Sequence, residues 1–166
     1  VKKAFTQAGT MNTCKGYSQI ERIHVLYARI KLSETDYTEL PNCKIITDPN
    51  QDELEELFNS YCVYKKFSSV EPIFPEEYHE LRNDVIGYYN EDTLIAFSLM
   101  RRYNSKNVEA VQFAWDYKNP KLKLGIASLR SECALYKRLG FEYLYLGEAN
   151  EYKKQINGFE ILGPRT

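Results

Sequence analysis

Histidine is nearly missing from this chain of 166 residues, which carries only His24 and His79. Cysteine is sparse as well: Cys14, Cys43, Cys62 and Cys133 form no CxxC or CxxxC pair. Zinc needs clustered sulfur and imidazole ligands, so no metal site is expected. Four scattered thiols fit a reducing compartment, and no apolar run approaches a membrane span. With no secretory pattern in view, a cytoplasmic protein that does not engage membrane is expected. An excess of one charge is lacking too. The net charge is −1, which excludes whole-surface attraction to nucleic acid and leaves room for a local basic patch.

Aromatic residues are abundant: 14 Tyr and 8 Phe. Tyrosine offers an apolar body and a polar tip, so the rings suit either a lined groove or a tyrosine-rich core. Hydrophobic residues at 43% and charged residues at 27% describe an ordered globular chain long enough for one self-sufficient core. Val1–Thr10 precede an internal Met11 and are read as an added or unstructured leader, with one domain over residues 11–166.

Hydrophobic periodicity divides that domain. Ile23–Leu32 is predicted as a first strand and Cys43–Thr47 as a short second one. Asp48-Pro49-Asn50-Gln51 predicts a capped helix start, followed by Leu54, Leu57, Phe58, Tyr61 and Cys62 on one helical stripe. A short helix is expected at Pro75–Arg82. The period then shifts to strands: Asp84–Tyr89, Thr93–Arg101 and Val108–Tyr117, a meander in which Val111, Phe113 and Trp115 are expected to share a face. A long helix from Lys123 to Leu139 is closed by Gly140. Strand Phe141–Gly147, short helix Glu151–Ile156 and strand Phe159–Leu162 complete the chain. A strand–helix–strand unit after a meander demands a parallel crossover. The expected fold is therefore α/β, with a mixed, mostly antiparallel sheet, a parallel βαβ crossover and helices on both faces.

This element order resembles the GNAT (N-acetyltransferase-like) superfamily. Leu124–Gly147 reads LGIASLRSECALYKRLGFEYLYLG, with Gly125, Gly140 and Gly147 in fixed spacing, and Trp115-Asp116 ends the preceding strand. That register resembles the C-terminal domain of arginyl-tRNA–protein transferases over residues 85–163, with no match seen in the N-terminal half. Tyr152–Phe159 (YKKQINGF) is also similar to a Phe-Lys-x-x-Phe-Gly pattern of FemABX-like aminoacyl transferases.

The resemblance implies acyl transfer, which needs amides for the donor, a neutral acceptor amine and an acid for the leaving group. The donor site is expected where Lys121, Lys123, Leu124, Gly125, Ile126 and Ala127 open the long helix, because free N–H groups there favour anions. The competing reading is a solvated lysine loop with a helix-packing glycine. Asp116 reads equally as an amine-orienting base or as a cap for Asn119-Pro120. Tyr145 and Tyr152 are candidate proton donors, while Tyr136 and the two histidines are read as structural. Acetyl-CoA-binding members of the superfamily show Gln/Arg-x-x-Gly-x-Gly/Ala at the helix entry, whereas this chain has Leu122-x-x-Gly125-x-Ala127. That departure favours an aminoacyl-tRNA donor and an amine or hydroxyl acceptor, on a protein or a small molecule, with tRNA as partner and no tightly bound cofactor. An acetyl-CoA-dependent N-acetyltransferase and a non-catalytic GNAT-like binding module are the alternatives.

Overall fold

The computed structural model describes residues 7–12, 18–23, 26–66, 73, 75–118 and 124–162. Strands β1 (Gln7–Asn12) and β2 (Ser18–Ile23) form a separate antiparallel ladder, and β1 runs across the boundary drawn between Thr10 and Met11. The main sheet holds β3 (Tyr27–Lys31), β4 (Cys43–Ile46), β5 (Asn83–Asn90), β6 (Thr93–Arg102), β7 (Asn107–Trp115), β8 (Tyr143–Glu148) and β9 (Phe159–Leu162). Its spatial order is β4-β5-β6-β7-β8-β3-β9. The β7–β8 pair is parallel and its other neighbours are antiparallel. This is the mixed sheet that the element order predicts.

The expected first strand is in fact divided. Residues 18–23 belong to the separate ladder, and Tyr27–Lys31 inserts between β8 and β9. Nothing in a 2-residue period reveals which neighbour a strand will choose, so this long-range placement was invisible to patterning. His24 lies outside the described residues.

Helix α1 (Gln51–Lys65) starts later than expected. Its cap is Asn50, whose side chain accepts from the Glu53 N–H at 3.4 Å, while Pro49 is buried ahead of it. Leu54 and Phe58 are buried against Val85, Leu94, Phe97, Leu99 and Ala114 on one sheet face. Helix α2 (Leu124–Arg138) packs Leu129, Cys133, Leu135 and Tyr136 on the opposite face, against Ile86, Ala96, Met100, Val108 and Leu144. Strand β6 lies between the two layers, which is why Leu94–Met100 reads as a continuous apolar run broken only by Ser98. The predicted helices at 75–82 and 151–156 are single 3-10 turns, Pro75–His79 and Glu151–Gln155. Both are too short to carry an apolar stripe of their own.

Candidate functional site: a fork between two parallel strands

Strands β7 and β8 pair only at their beginnings: Asn107 with Tyr143, Val108 with Leu144 and Glu109 with Tyr145. Beyond that they part. Each carries one extra residue at the point of separation. Against β6 the register passes from Met100–Ala110 to Leu99–Gln112, so Val111 bulges. Against β3 it passes from Arg29–Tyr145 to Ala28–Gly147, so Leu146 bulges. A bulge bends and twists its strand, and two at one level open the ladder into a fork. The Val111 bulge also corrects the expected strand face. Phe113 and Trp115 pack toward α2, whereas Val111 packs on the α1 side. An inserted residue shifts the 2-residue alternation by one.

Two glycines of the Leu124–Gly147 block are explained by backbone conformation. Gly140 (φ +90°) ends α2, its N–H donating to the Lys137 carbonyl at 3.1 Å. Gly147 (φ +63°) follows the β8 bulge. Both angles lie in the left-handed region that side chains disfavour. Gly125 differs: a Cβ there would meet nothing within 4 Å. It is not a packing glycine, and the residue is exposed. Leu124 is buried, Ile126 and Ala127 are half-buried, and the turn holds no acidic residue. Lys121 and Lys123 lie outside the described residues.

The β8 limb of the fork is capped by a residue that sequence reading passed over. Lys153, from the turn at Glu151–Gln155, donates Nζ to the carbonyls of Leu146 (2.8 Å) and Glu148 (2.9 Å). Both acceptors lie past the last β7 pair. Burial pulls the ammonium below the usual lysine value, with Glu148 opposing the shift. A lysine has three donors, so one remains after both bonds. The signal was present in the Tyr-Lys pair of YKKQINGF.

The predicted proton carriers occupy three settings. The Asp116 carboxylate accepts from the Lys118 N–H at 2.9 Å, closing the turn after β7. Tyr145 is turned to the sheet face that carries Tyr143 and, on β3, Arg29, and takes a 3.5 Å bond from the Arg29 guanidinium. The Tyr152 ring is half exposed, yet burial raises its hydroxyl and the Glu132 carboxylate adds to the shift. Tyr152 also raises Tyr61 of α1, after burial, while a side-chain bond with Trp115 pulls Tyr61 back. Trp115, Tyr61 and Tyr152 therefore gather at the open end. Tyr136 is fully buried, with its hydroxyl donating to Asp84 at 3.0 Å.

Glu132 was not singled out from sequence. It sits on the sheet-facing side of α2, 3% exposed. Its Oε1 accepts from Ser98 Oγ at 2.5 Å and Tyr88 Oη at 2.8 Å. Burial raises its pKa, and the two hydroxyls hold it down. No group of three or more His, Cys, Asp and Glu side chains among the described residues could hold a metal.

The profile of the family described as arginine-tRNA-protein transferase, C terminus, matches residues 37–162. The chain belongs to that family. The match extends well upstream of residue 85, taking in β4 and α1, whose sequences carry no glycine signature. The family is one of acyl-transferring enzymes, and this is an acyltransferase domain of the GNAT fold. A GNAT-family acetyltransferase from Novosphingobium aromaticivorans superposes with a TM-score of 0.62 at 15% identity, covering 93% of this chain and 67% of that one. The C-terminal domain of a lysylphosphatidylglycerol synthetase from Agrobacterium fabrum gives 0.55 at 14%, covering 75% and 47%. Saccharomyces cerevisiae N-myristoyltransferase gives 0.56 at 12%, covering 83% and 48%. At these identities the likeness is one of fold. The chain spans about half the length of the latter two. No curated protein matches it. Among the described residues no helix is long and apolar enough to cross a membrane.

Proposed function

We propose that the domain transfers an aminoacyl group from aminoacyl-tRNA to an amine or hydroxyl acceptor, in the cytoplasm. The observation that carries this reading is the fork: two parallel strands held together at one end and parted at the other, with α2, whose first turn carries the exposed Gly125, following β7 in the chain. Family membership supports the tRNA-borne donor, as does the departure from the acetyl-CoA pattern at Leu122.

In this reading the donor ester lies in the fork. A neutral acceptor nitrogen attacks the ester carbonyl, giving a tetrahedral oxyanion. The third Lys153 donor and the α2 amides at Gly125–Ala127 stabilise that charge, with Lys121 and Lys123 adding to the field. Collapse breaks the carbon–oxygen bond to the ribose. Tyr152, which holds its proton at neutral pH, protonates the departing oxygen, and the nitrogen loses its extra proton to solvent or to Asp116. Tyr145 is the alternative acid, approaching from the other face of β8. No tightly bound cofactor takes part.

Thermal-shift titration against charged tRNA, CoA and acetyl-CoA tests the donor, because a ligand that binds only the folded state raises Tm. Charged tRNA is expected to raise it. A shift with acetyl-CoA and none with tRNA would replace this reading by N-acetyl transfer, and no shift with any donor would make the domain a binding module.

A further inference from the structure

Four ring–ring contacts among the described residues divide into two kinds. Tyr78–Phe97, Tyr88–Phe113 and Tyr136–Phe141 meet edge to face, at interplanar angles of 72°, 80° and 87°. Each has at least one fully or nearly fully buried ring. Tyr64 and Tyr117 instead lie parallel, with centroids 4.3 Å apart and planes within 3°. Tyr64 is 47% exposed and belongs to the last turn of α1, one turn after Tyr61. Tyr117 is two residues past the end of β7, where the chain leaves for α2. The stack therefore stands at the open end of the fork.

Its surroundings are basic. Lys65 and Lys66 end α1, and Lys118 follows Tyr117; all three are exposed. None of the three pairs with a carboxylate among the described residues. Lys121 and Lys123 follow in the sequence. Parallel rings, Tyr64 exposed and Tyr117 half-buried, beside ammonium groups that have no carboxylate partner (Lys65 lies 5.9 Å from the Tyr61 ring centroid) offer what an unstacked base with its phosphates requires: a π face to stack on and cations along the backbone. Because the net charge is −1, this attraction is local.

We infer that Tyr64 and Tyr117 form the subsite for the unpaired terminal adenosine of a single-stranded RNA 3′ end, stacking its base while Lys65, Lys66 and Lys118 hold the adjoining phosphates. This rests on the aminoacyl-transfer reading and names the part of the donor that lies outside the fork. Adenosine is also carried by CoA, so the test separates the two sources.

The test uses uncharged hairpin RNA, so binding is measured without transfer. One hairpin has an unpaired 3′ end finishing in adenosine; its twin is abasic at that nucleotide. By fluorescence anisotropy the wild-type protein should prefer the adenosine end by about 10-fold, the scale of one base–aromatic stack. Tyr64→Leu and Tyr117→Leu should each reduce that preference while leaving abasic affinity unchanged, and Tyr64→Phe should retain it. A packing role alone would lower Tm and leave the preference intact. The inference is overturned if the wild-type protein shows no preference, if the Leu variants keep it, or if they weaken CoA and not RNA. Loss of preference in a protein that transfers nothing would leave the subsite standing and remove the aminoacyl-transfer reading.

Discussion

The two ends of the β7–β8 pair are built from different materials. At the closed end, Val108 and Leu144 are fully buried side by side, and the amides of Glu142 and Tyr143 both donate to the Lys106 carbonyl. Phe141 meets the buried Tyr136 edge to face. At the open end, the carbonyls of Leu146 and Glu148 face an ammonium instead of a strand, and Trp115, Tyr61 and Tyr152 stand where strand pairing has stopped. Backbone polar groups must be satisfied wherever water is excluded. A strand does this permanently. A lysine does it while leaving space for a guest. The contrast teaches that stability and chemistry are separated along one strand pair, within a few residues.

The sharpest way to break that separation is to damage the closed end. Leu144→Ala removes a fully buried side chain from between α2 and the sheet. Such a cavity costs about 2–5 kcal/mol. The denaturant midpoint should fall accordingly, and activity should fall only with the folded fraction. Lys153→Met, at the open end, keeps the aliphatic stem and deletes the donor. Per folded molecule, transfer should drop about 10²-fold, the scale of one oxyanion donor, while Tm also falls because the Leu146 and Glu148 carbonyls lose their donor. A large Tm loss with normal turnover of the folded fraction would make Lys153 a structural cap.

The closed end was largely legible in the sequence and the open end was not. The meander, α2 and the crossover follow from period and punctuation, because Asn90-Glu91-Asp92 and Gly140 mark turns with their own chemistry. The bulges at Val111 and Leu146 are relations between strands, and no single strand records them. Nothing in the sequence marks Glu132; only its placement over Ser98 and Tyr88 makes it a buried acid. The Tyr152-Lys153 pair marks the position of Lys153, but its partners are the main-chain carbonyls of Leu146 and Glu148, which no residue identity records.

Glu132 offers a subtler probe of the layer beneath the fork. Its folded pKa is raised from 4.5, burial being the largest cause. The folded chain therefore binds this proton more tightly than the unfolded chain. The contribution to stability is fully present below the unfolded value and is lost as pH rises through the folded value. Glu132→Gln keeps an acceptor for both hydroxyls and removes the charge. The Tm of the variant minus that of the wild type should be larger at pH 8 than at pH 5. A difference that grows toward pH 5 would mean that the carboxylate is better solvated in the fold than its burial indicates.

The smallest expected effect bears on Gly125, where stability and function should move in opposite directions. A Cβ there meets nothing within 4 Å, so Gly125→Ala needs no rearrangement. Alanine gives up less backbone entropy than glycine in a helix, so the variant should be more stable, by no more than about 1 kcal/mol and less in a first turn. If the donor approaches the amides of this turn, the new methyl stands in its path. KM for the donor should then rise several-fold while Tm rises slightly. A variant with higher Tm and unchanged KM would show that the first turn of α2 is merely exposed. The donor would then rest on the β8 limb and Lys153 alone.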